Sequence, residues 1–191
     1  AEKGICELEL CADAPKKLLA YDAGTVSNAV AGLARASFAG NAPAFDAARW
    51  PNIHITQMED GFTVEAVGRS AHAAFPDGSV NASAMLAAFI CENGLVDAAD
   101  EKTLRFVAEC IKPYYGEKLG IAFETKEMGK LTAIGGTTRL KDGKLIQNIN
   151  IRYPSGVDGS RIEQRITEAA SAYGWTLAAL HDDPPSFISP D

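Results

Sequence analysis

A histidine in a predicted loop is the first residue that could do chemistry. His72 lies in the segment Gly68–Pro76, which reads GRSAHAAFP and connects a predicted strand to a predicted helix. Loops held by a rigid scaffold often carry function, and the small neighbours of this histidine would leave a ring nitrogen free to contact a ligand. The alternative is a histidine that only caps the following turn, and the local sequence leaves both interpretations open.

An arginine on a predicted strand is the second candidate. Within Lys144–Tyr153, apolar side chains alternate with Asn148, Asn150 and Arg152, so that one face of the strand is apolar and the other carries amides and a guanidinium. Arginine is suited to binding a carboxylate through two parallel hydrogen bonds. The alternative is a solvated arginine on an open sheet face.

The sequence contains few candidate ligands for a metal ion. A zinc site needs several converging ligands, and the only histidines are His54, His72 and His181. His181 has Asp183 two residues later, a spacing that some zinc enzymes use, but no co-ligands are near, and His54 is most simply a half-exposed strand residue. Gly135-Gly136 does not join a strand to a helix and so indicates no phosphate loop. We therefore predict no metal site in this chain.

Charge and hydropathy exclude two classes of partner. Eighteen basic against 25 acidic side chains give a net charge of −7, which argues against nucleic acid because phosphate binding depends on Lys and Arg. The longest apolar stretch, Ala82–Cys91, is shorter than the roughly 20 residues that span a membrane. Four cysteines lie in apolar runs without C-x-x-C spacing, which is typical of free thiols in a reducing cytoplasm.

Two predicted hairpins position the candidate residues. In each, β-branched and aromatic residues flank an Asp-Gly pair, which tolerates the positive φ of a tight turn. The hairpins are Ile53–Met58 with Phe62–Gly68 around Asp60-Gly61, and Leu131–Leu140 with Lys144–Tyr153 around Asp142-Gly143. His72 therefore follows the first hairpin, and Arg152 lies in the second.

Apolar periodicity predicts helices between these strands. The predicted elements are a helix over Ser79–Asn93 ending at Gly94, a second helix capped by Asp97, a third with a capping box of Ser160 and Glu163, a possible short helix over Pro43–Trp50, and a last strand over Trp175–Leu180.

The order of these elements indicates an α+β fold. From Phe62 it is strand, helix, strand, strand, helix, strand once 97–130 is set aside as a helical insertion. This order is that of a ferredoxin-like βαββαβ unit, a two-layer antiparallel sheet with helices on one face. Ahead of it, Ile5–Cys11 alternates as an amphipathic strand. The domain prediction is an accessory strand and helix subdomain over 1–61, a ferredoxin-like core over 62–183, and a tail over 184–191.

Two motifs resemble one enzyme family. The segment GRSAHAAFPDGSVN at 68–81 and the segment NINIRYP at 148–154 are similar to motifs of the M20 family of zinc peptidases, in its PepV-like bacterial dipeptidase branch. The two motifs have the order found in that family and are about 80 residues apart. A weaker similarity extends across the chain.

This resemblance implies that the chain is the lid inserted into the catalytic domain of a dipeptidase, inactive by itself. The catalytic halves would then precede Ala1 and follow Asp191, and would supply two zinc ions and the general-base glutamate. By the same resemblance His72 would bind the scissile carbonyl oxygen of a dipeptide and stabilise the oxyanion, and Arg152 would bind the C-terminal carboxylate.

The length resembles that of extended lids from monomeric enzymes, in which residues such as 1–61 stand in for the lid of a second subunit. One position departs from the family: Ala12–Ala20 lacks the asparagine that usually follows the first lid strand, so no residue is carried over for its role.

Other functions remain open. One is a stand-alone ferredoxin-like module for small-ligand binding or dimerisation, with His72 structural; another is a relative that kept binding without catalysis. The lid hypothesis predicts that His72 and Arg152 open toward the same side of the lid without hydrogen bonding to each other.

Overall fold

The computed structural model describes residues 1–187, so that positions 188–191 of the predicted tail lie outside it. It contains ten strands, three α-helices and two short 3-10 helices (Ala98–Asp100 and Glu117–Leu119). The strands are β1 (Gly4–Asp13), β2 (Ala20–Ala23), β3 (Leu33–Ala39), β4 (Ile53–Gln57), β5 (Gly61–Val67), β6 (Glu124–Thr125), β7 (Gly129–Lys130), β8 (Thr132–Lys141), β9 (Lys144–Tyr153) and β10 (Thr176–Asp183). The helices are α1 (Ala82–Glu92), α2 (Glu101–Glu109) and α3 (Gly159–Ser171).

Eight strands form one antiparallel sheet in the order β10-β1-β9-β8-β2-β3-β5-β4, and β6 pairs with β7 in a separate ribbon. The α+β class with an antiparallel sheet is therefore confirmed. The sheet is twice as wide as the predicted four-stranded unit. Its two halves meet where β2 pairs with β8 through only two residue pairs, Asp22 with Arg139 and Ala23 with Thr138.

The ferredoxin-like assignment of strands from Phe62 onward is wrong in one respect. It grouped β5 with β8, β9 and β10, but the position between β9 and β10 is occupied by β1. Strand β5 instead pairs with β3 and β4 in the other half of the sheet. The reason is register: β1 is ten residues long and pairs along its whole length with β9, a long-range match that local patterns do not reveal.

All three helices pack on one face of the sheet. In β1 the alternate residues Cys6, Leu8, Leu10 and Ala12 are buried, and they share one core with apolar residues of every helix. Helix α2, which the sequence prediction set aside with its insertion, packs against α1, and the indole of buried Trp175 donates to the carbonyl of Thr103 at 3.0 Å. The segment 97–130 therefore contributes to the helical layer. We call the opposite side of the sheet the polar face.

The two predicted hairpins are confirmed as β4–β5 and β8–β9. In the second, Asp142 and Gly143 have φ values of 51° and 75°, as a tight turn between twisted strands requires. In the first, Gly61 has a different function: a Cβ there would lie 2.2 Å from the carbonyl oxygen of Phe38 on the neighbouring strand. Close approach of two backbones explains this glycine.

The starts of the helices differ from the sequence predictions, whereas Gly94, with a φ of 63°, follows the end of α1 as predicted. Asp158, and not Ser160, caps α3, because its carboxylate accepts the backbone N–H of Arg161 at 2.9 Å. Asn81 caps α1, and Asp97 makes no side-chain cap bond. Pro43–Trp50 forms no helix. Within residues 1–187, no helix is long and apolar enough to cross a membrane.

Candidate functional site

Arg152 lies on the polar face of the sheet. It stands in β9 between its cross-strand neighbours Ile5 and Thr132, and its side chain is half-buried. Its Nε donates to Oδ1 of Asn150 at 2.9 Å. Among residues 1–187 neither Nη group donates to a protein acceptor, so that the outer edge of the guanidinium keeps its donors available to a ligand.

His72 lies in an exposed loop between β5 and α1. Its Nδ1 accepts the backbone N–H of Ala74 at 3.0 Å. A ring nitrogen that accepts a hydrogen bond carries no proton, so we assign the neutral tautomer with hydrogen on Nε2. The remaining ring nitrogen of His72 is therefore a donor.

Contacts on several sides hold the loop of residues 69–80, which we call the His72 loop. On one side, the backbone N–H of Val30 donates to the carbonyl of Ala71, and that of Ala73 donates to the carbonyl of Asn28, both at 2.8 Å. Both partners belong to residues 24–32, which we call the covering loop. Backbone bonds at Ala71 and Ala73 thus fix the position of His72 between them.

Two tyrosines from the segment between α2 and β8 hold the other side of the His72 loop. The hydroxyl of Tyr114 donates to the carbonyl of Ser79, and the hydroxyl of Tyr115 donates to the carboxylate of Asp77. Because Asp77 accepts that proton, it raises the pKa of Tyr115 to about 12. Lys130 lies 5.0 Å from the centre of the Tyr115 ring. The predicted insertion thus supports the candidate site.

One hydrogen bond joins the His72 loop to the strand next to Arg152. Thr132 is the direct cross-strand neighbour of Arg152 and lies on the same face, and its hydroxyl donates to the carbonyl of Ala73 at 2.9 Å. The structure therefore brings His72 and Arg152 to the same side of the sheet, and no hydrogen bond joins their side chains within residues 1–187.

The sequence prediction missed a polar cluster around Arg152. Glu7 lies on β1 directly across from Asn150, and its Oε1 accepts from the amides of Asn148 at 3.2 Å and Asn150 at 3.3 Å. Burial alone would raise the pKa of Glu7, but hydrogen bonds from Ser27, Asn148 and Asn150 and the charge of Arg152 together lower it. The alternation of β1 placed Glu7 on a polar face; only its pairing with β9 joins it to Arg152.

The covering loop is seated on Gly136, the second of the two glycines that indicated no phosphate loop. A Cβ on Gly136 would lie 2.4 Å from the carbonyl oxygen of Ser27. The glycine therefore lets the covering loop lie directly on β8. Beside this loop is a cavity of about 330 Å³, whose lining includes Asp22, Thr25, Ala29, Arg35 and Ser70. It adjoins the site because Ala29 pairs with His72.

The remaining candidates lie apart from this site. His54 is exposed on β4, and His181 is exposed on β10, 3.4 Å from Asp183. Within residues 1–187 no three His, Cys, Asp or Glu side chains converge to hold a metal ion. The four cysteines are free, and burial raises the pKa of Cys6 to about 12 and that of Cys91 to about 11.

Comparisons with known proteins relate the chain to part of larger proteins. It is 30% identical over 137 residues to a protein of Staphylococcus aureus (strain USA300) named "Putative dipeptidase", a match that covers 69% of this chain and 28% of that protein. It is 33% identical over 129 residues to "Putative dipeptidase YtjP" of Bacillus subtilis (strain 168), covering 65% of this chain and 26% of that protein. The chain is thus a dipeptidase-related domain that spans about 28% of the length of the first of these relatives.

Two further comparisons do not define a family for the chain. No protein-family profile matches the chain. A solved structure of aminoacylhistidine dipeptidase from Vibrio alginolyticus aligns with 96% of this chain and 44% of that chain, at 13% sequence identity and a TM-score of 0.36.

Proposed function

We propose that this chain is the substrate-capping lid of a zinc dipeptidase of the M20 type. In this proposal Arg152 binds the C-terminal carboxylate of a dipeptide, and the Nε2–H of His72 donates to the scissile carbonyl oxygen. The observation that carries the proposal is the bond from Thr132 to Ala73, which attaches the His72 loop to the face of the sheet that carries Arg152. The similarity to dipeptidase-named proteins supports the reaction class.

The state of Arg152 suits a carboxylate ligand. Its Nε is already bonded within the protein, while both Nη groups are free of protein acceptors in residues 1–187. Two parallel N–H donors match the two oxygens of a carboxylate, and the pair is stronger where water is partly excluded. The half-buried position of this side chain favours such a pair.

The state of His72 suits an oxygen on which negative charge develops. The bond from Ala74 to Nδ1 leaves Nε2 as the donor, so that a neutral imidazole can donate without first gaining a proton. A donor fixed in advance stabilises an oxyanion with little reorganisation. The backbone bonds of the His72 loop supply that fixation.

Zinc would be bound outside this chain. Residues 1–187 provide no group of three converging ligands, so that they do not fit a zinc site. We assign the two zinc ions and the general base to the catalytic domain of the same parent chain, and derive no step through the metal. The match to only 28% of a relative's length is consistent with such a parent.

We also propose that the parent is monomeric and cytoplasmic. Strands β2, β3, β5 and β4 continue the sheet at the edge of β8, where the strand of a second subunit would otherwise pair. The free thiols are typical of a reducing compartment.

The test uses the full-length protein encoded by the reading frame that contains these residues. Dipeptide hydrolysis is compared with hydrolysis of the same dipeptide bearing a C-terminal amide. We expect His72→Ala to lower kcat by about 10²–10³-fold for both substrates, as loss of one oxyanion donor does. Arg152→Ala should instead raise KM for the free acid and abolish the preference for it over the amide.

His54→Ala is the matched control, since this exposed histidine lies on β4 and should leave both constants unchanged. Hydrolysis by the 191-residue chain alone, or a fully active His72→Ala variant, would contradict the proposal. Zinc content of the parent should be the same in all variants.

The cavity of about 330 Å³ beside the covering loop favours a second candidate, a stand-alone domain that binds a small ligand. Two results together would favour this candidate over the lid. The reading frame would begin near Ala1 and stop near Asp191, and the chain would bind a small molecule saturably, with binding lost in Ser70→Trp.

A further inference from the structure

We propose that Asn150 is a positioning residue for Arg152 and that Glu7 sets the orientation of Asn150. Together they hold the guanidinium so that its two Nη groups face outward from the sheet. The consequence for substrate binding rests on the proposed function above, whereas the positioning itself can be measured without any substrate.

The contact between Asn150 and Arg152 is local and buried at one end. The two residues are two positions apart on β9 and therefore share a face. Asn150 is only 3% exposed, and its Oδ1 accepts from Nε of Arg152 at 2.9 Å. A planar guanidinium held at Nε has its remaining donors fixed in direction. Arg152 thus presents a defined edge and not a freely rotating charge.

Glu7 decides which end of the Asn150 amide meets Arg152. A carboxylate can only accept hydrogen bonds, whereas an amide has one accepting and one donating end. Because Oε1 of Glu7 lies 3.3 Å from Nδ2 of Asn150, the oxygen of that amide is turned toward Nε of Arg152. A flipped amide would lose both bonds at once.

Glu7 and Arg152 form no direct ion pair in residues 1–187; the amide of Asn150 lies between them. The carboxylate of Glu7 is therefore near enough to orient the amide of Asn150. It does not contact the outer edge of the Arg152 guanidinium, whose charge stays available to a ligand. Asn148 also donates to Glu7, at 3.2 Å, but does not bond to Arg152. The two asparagines therefore form a natural pair of test and control.

The experiment measures the solvent-exchange rate of the Arg152 Nε–H by ¹⁵N NMR on the 191-residue chain. In Asn150→Ala the rate should rise by about tenfold or more, because the acceptor is lost. In the matched control Asn148→Ala the rate should stay within about twofold of wild type. An unchanged rate in Asn150→Ala, or an equal rise in both variants, would overturn the proposal.

Glu7→Gln keeps the shape of the side chain and tests the second half of the proposal even if Asn150→Ala fails to fold. Glutamine can present either end of its amide, so that Asn150 is no longer forced into one orientation, and the exchange rate should rise by about threefold or more. A wild-type rate in Glu7→Gln would overturn the part assigned to Glu7.

Acetate, as the simplest carboxylate probe, separates this inference from the proposed function. Its titration is followed by the guanidinium resonances of Arg152, and we expect weaker binding in Asn150→Ala than in Asn148→Ala. If the exchange rates behave as expected but acetate does not perturb Arg152 in the wild-type chain, the carboxylate-binding role is contradicted while the positioning by Asn150 is supported.

Discussion

Aromatic rings on one face of the sheet and an amide on the other are buried to the same depth. On the helix side, Phe89 and Trp175 are 0% and 1% exposed, and both pack against other aromatic rings. On the polar face, Asn150 is 3% exposed, and both ends of its amide are hydrogen-bonded. Apolar groups gain by leaving water, whereas a buried amide is tolerated only if its partners are in place. Packing on the helix face thus stabilises the fold, whereas hydrogen bonds on the polar face fix the orientation of polar side chains.

Phe89→Ala should have the largest effect, because it removes a fully buried ring from the helix face. Phe89 packs edge-on against Phe45 and Trp50, with ring centres 5.3 Å away in each case. We expect a loss of about 3–5 kcal/mol in the free energy of unfolding, measured with urea. Phe75→Ala is the control: at 80% exposure, its loss should be under about 0.5 kcal/mol. Equal losses in the two variants would contradict the contrast between a packed helix face and an exposed loop.

Gly136→Ala should have an intermediate effect, confined to the polar face. The added methyl group would lie 2.4 Å from the carbonyl oxygen of Ser27, so that the covering loop must move. We expect a loss of about 1–3 kcal/mol in the free energy of unfolding, as is usual for overpacking. Faster hydrogen exchange at the amides of Val30 and Ala73 should accompany it.

Val26→Ala is the comparison for that variant, because it shortens an exposed side chain of the covering loop but leaves the backbone on Gly136. Its exchange rates at Val30 and Ala73 should remain close to wild type. Unchanged exchange in Gly136→Ala would show that the covering loop is not seated on this glycine.

The smallest effect is a pH dependence that comes from Glu7. Its pKa is lower in the folded protein than the ordinary value of 4.5, so the unfolded chain binds more protons between the two values. Stability from Glu7 is therefore present above the ordinary pKa and is lost as the pH falls through the folded one. The difference in unfolding free energy between wild type and Glu7→Gln should therefore shrink as the pH falls below the ordinary pKa of 4.5.

Glu9→Gln is the matched control on the same strand, since Glu9 is exposed and accepts no side-chain hydrogen bond within residues 1–187. If the difference in unfolding free energy between wild type and Glu7→Gln stays constant with pH, the carboxylate of Glu7 is not held by its amide partners.

The local elements were predictable, and the arrangement of the strands was not. Asp142-Gly143 fixed the hairpin of β8 and β9, because few other residue pairs adopt its backbone conformation so readily. The position of β1 between β9 and β10 depends on pairing with residues more than a hundred positions away. The cap of α3 was predicted two residues late because Ser160 and Asp158 can both serve, and only the entry direction of the chain selects Asp158.

The candidate site was likewise predictable only in its local features. The sequence by itself determined that His72 lies in a loop among small residues and that Arg152 lies on the polar side of a strand, since the period of two fixes the side. Their roles toward a substrate stay predictions.

Only the tertiary structure decided that the His72 loop lies on the face of the sheet that carries Arg152, and that Asn150 and Glu7 are hydrogen-bonded in series behind Arg152. The physical reason is that local patterns act over a few residues, whereas strand register and the seating of the covering loop on Gly136 arise from contacts between distant parts of the chain.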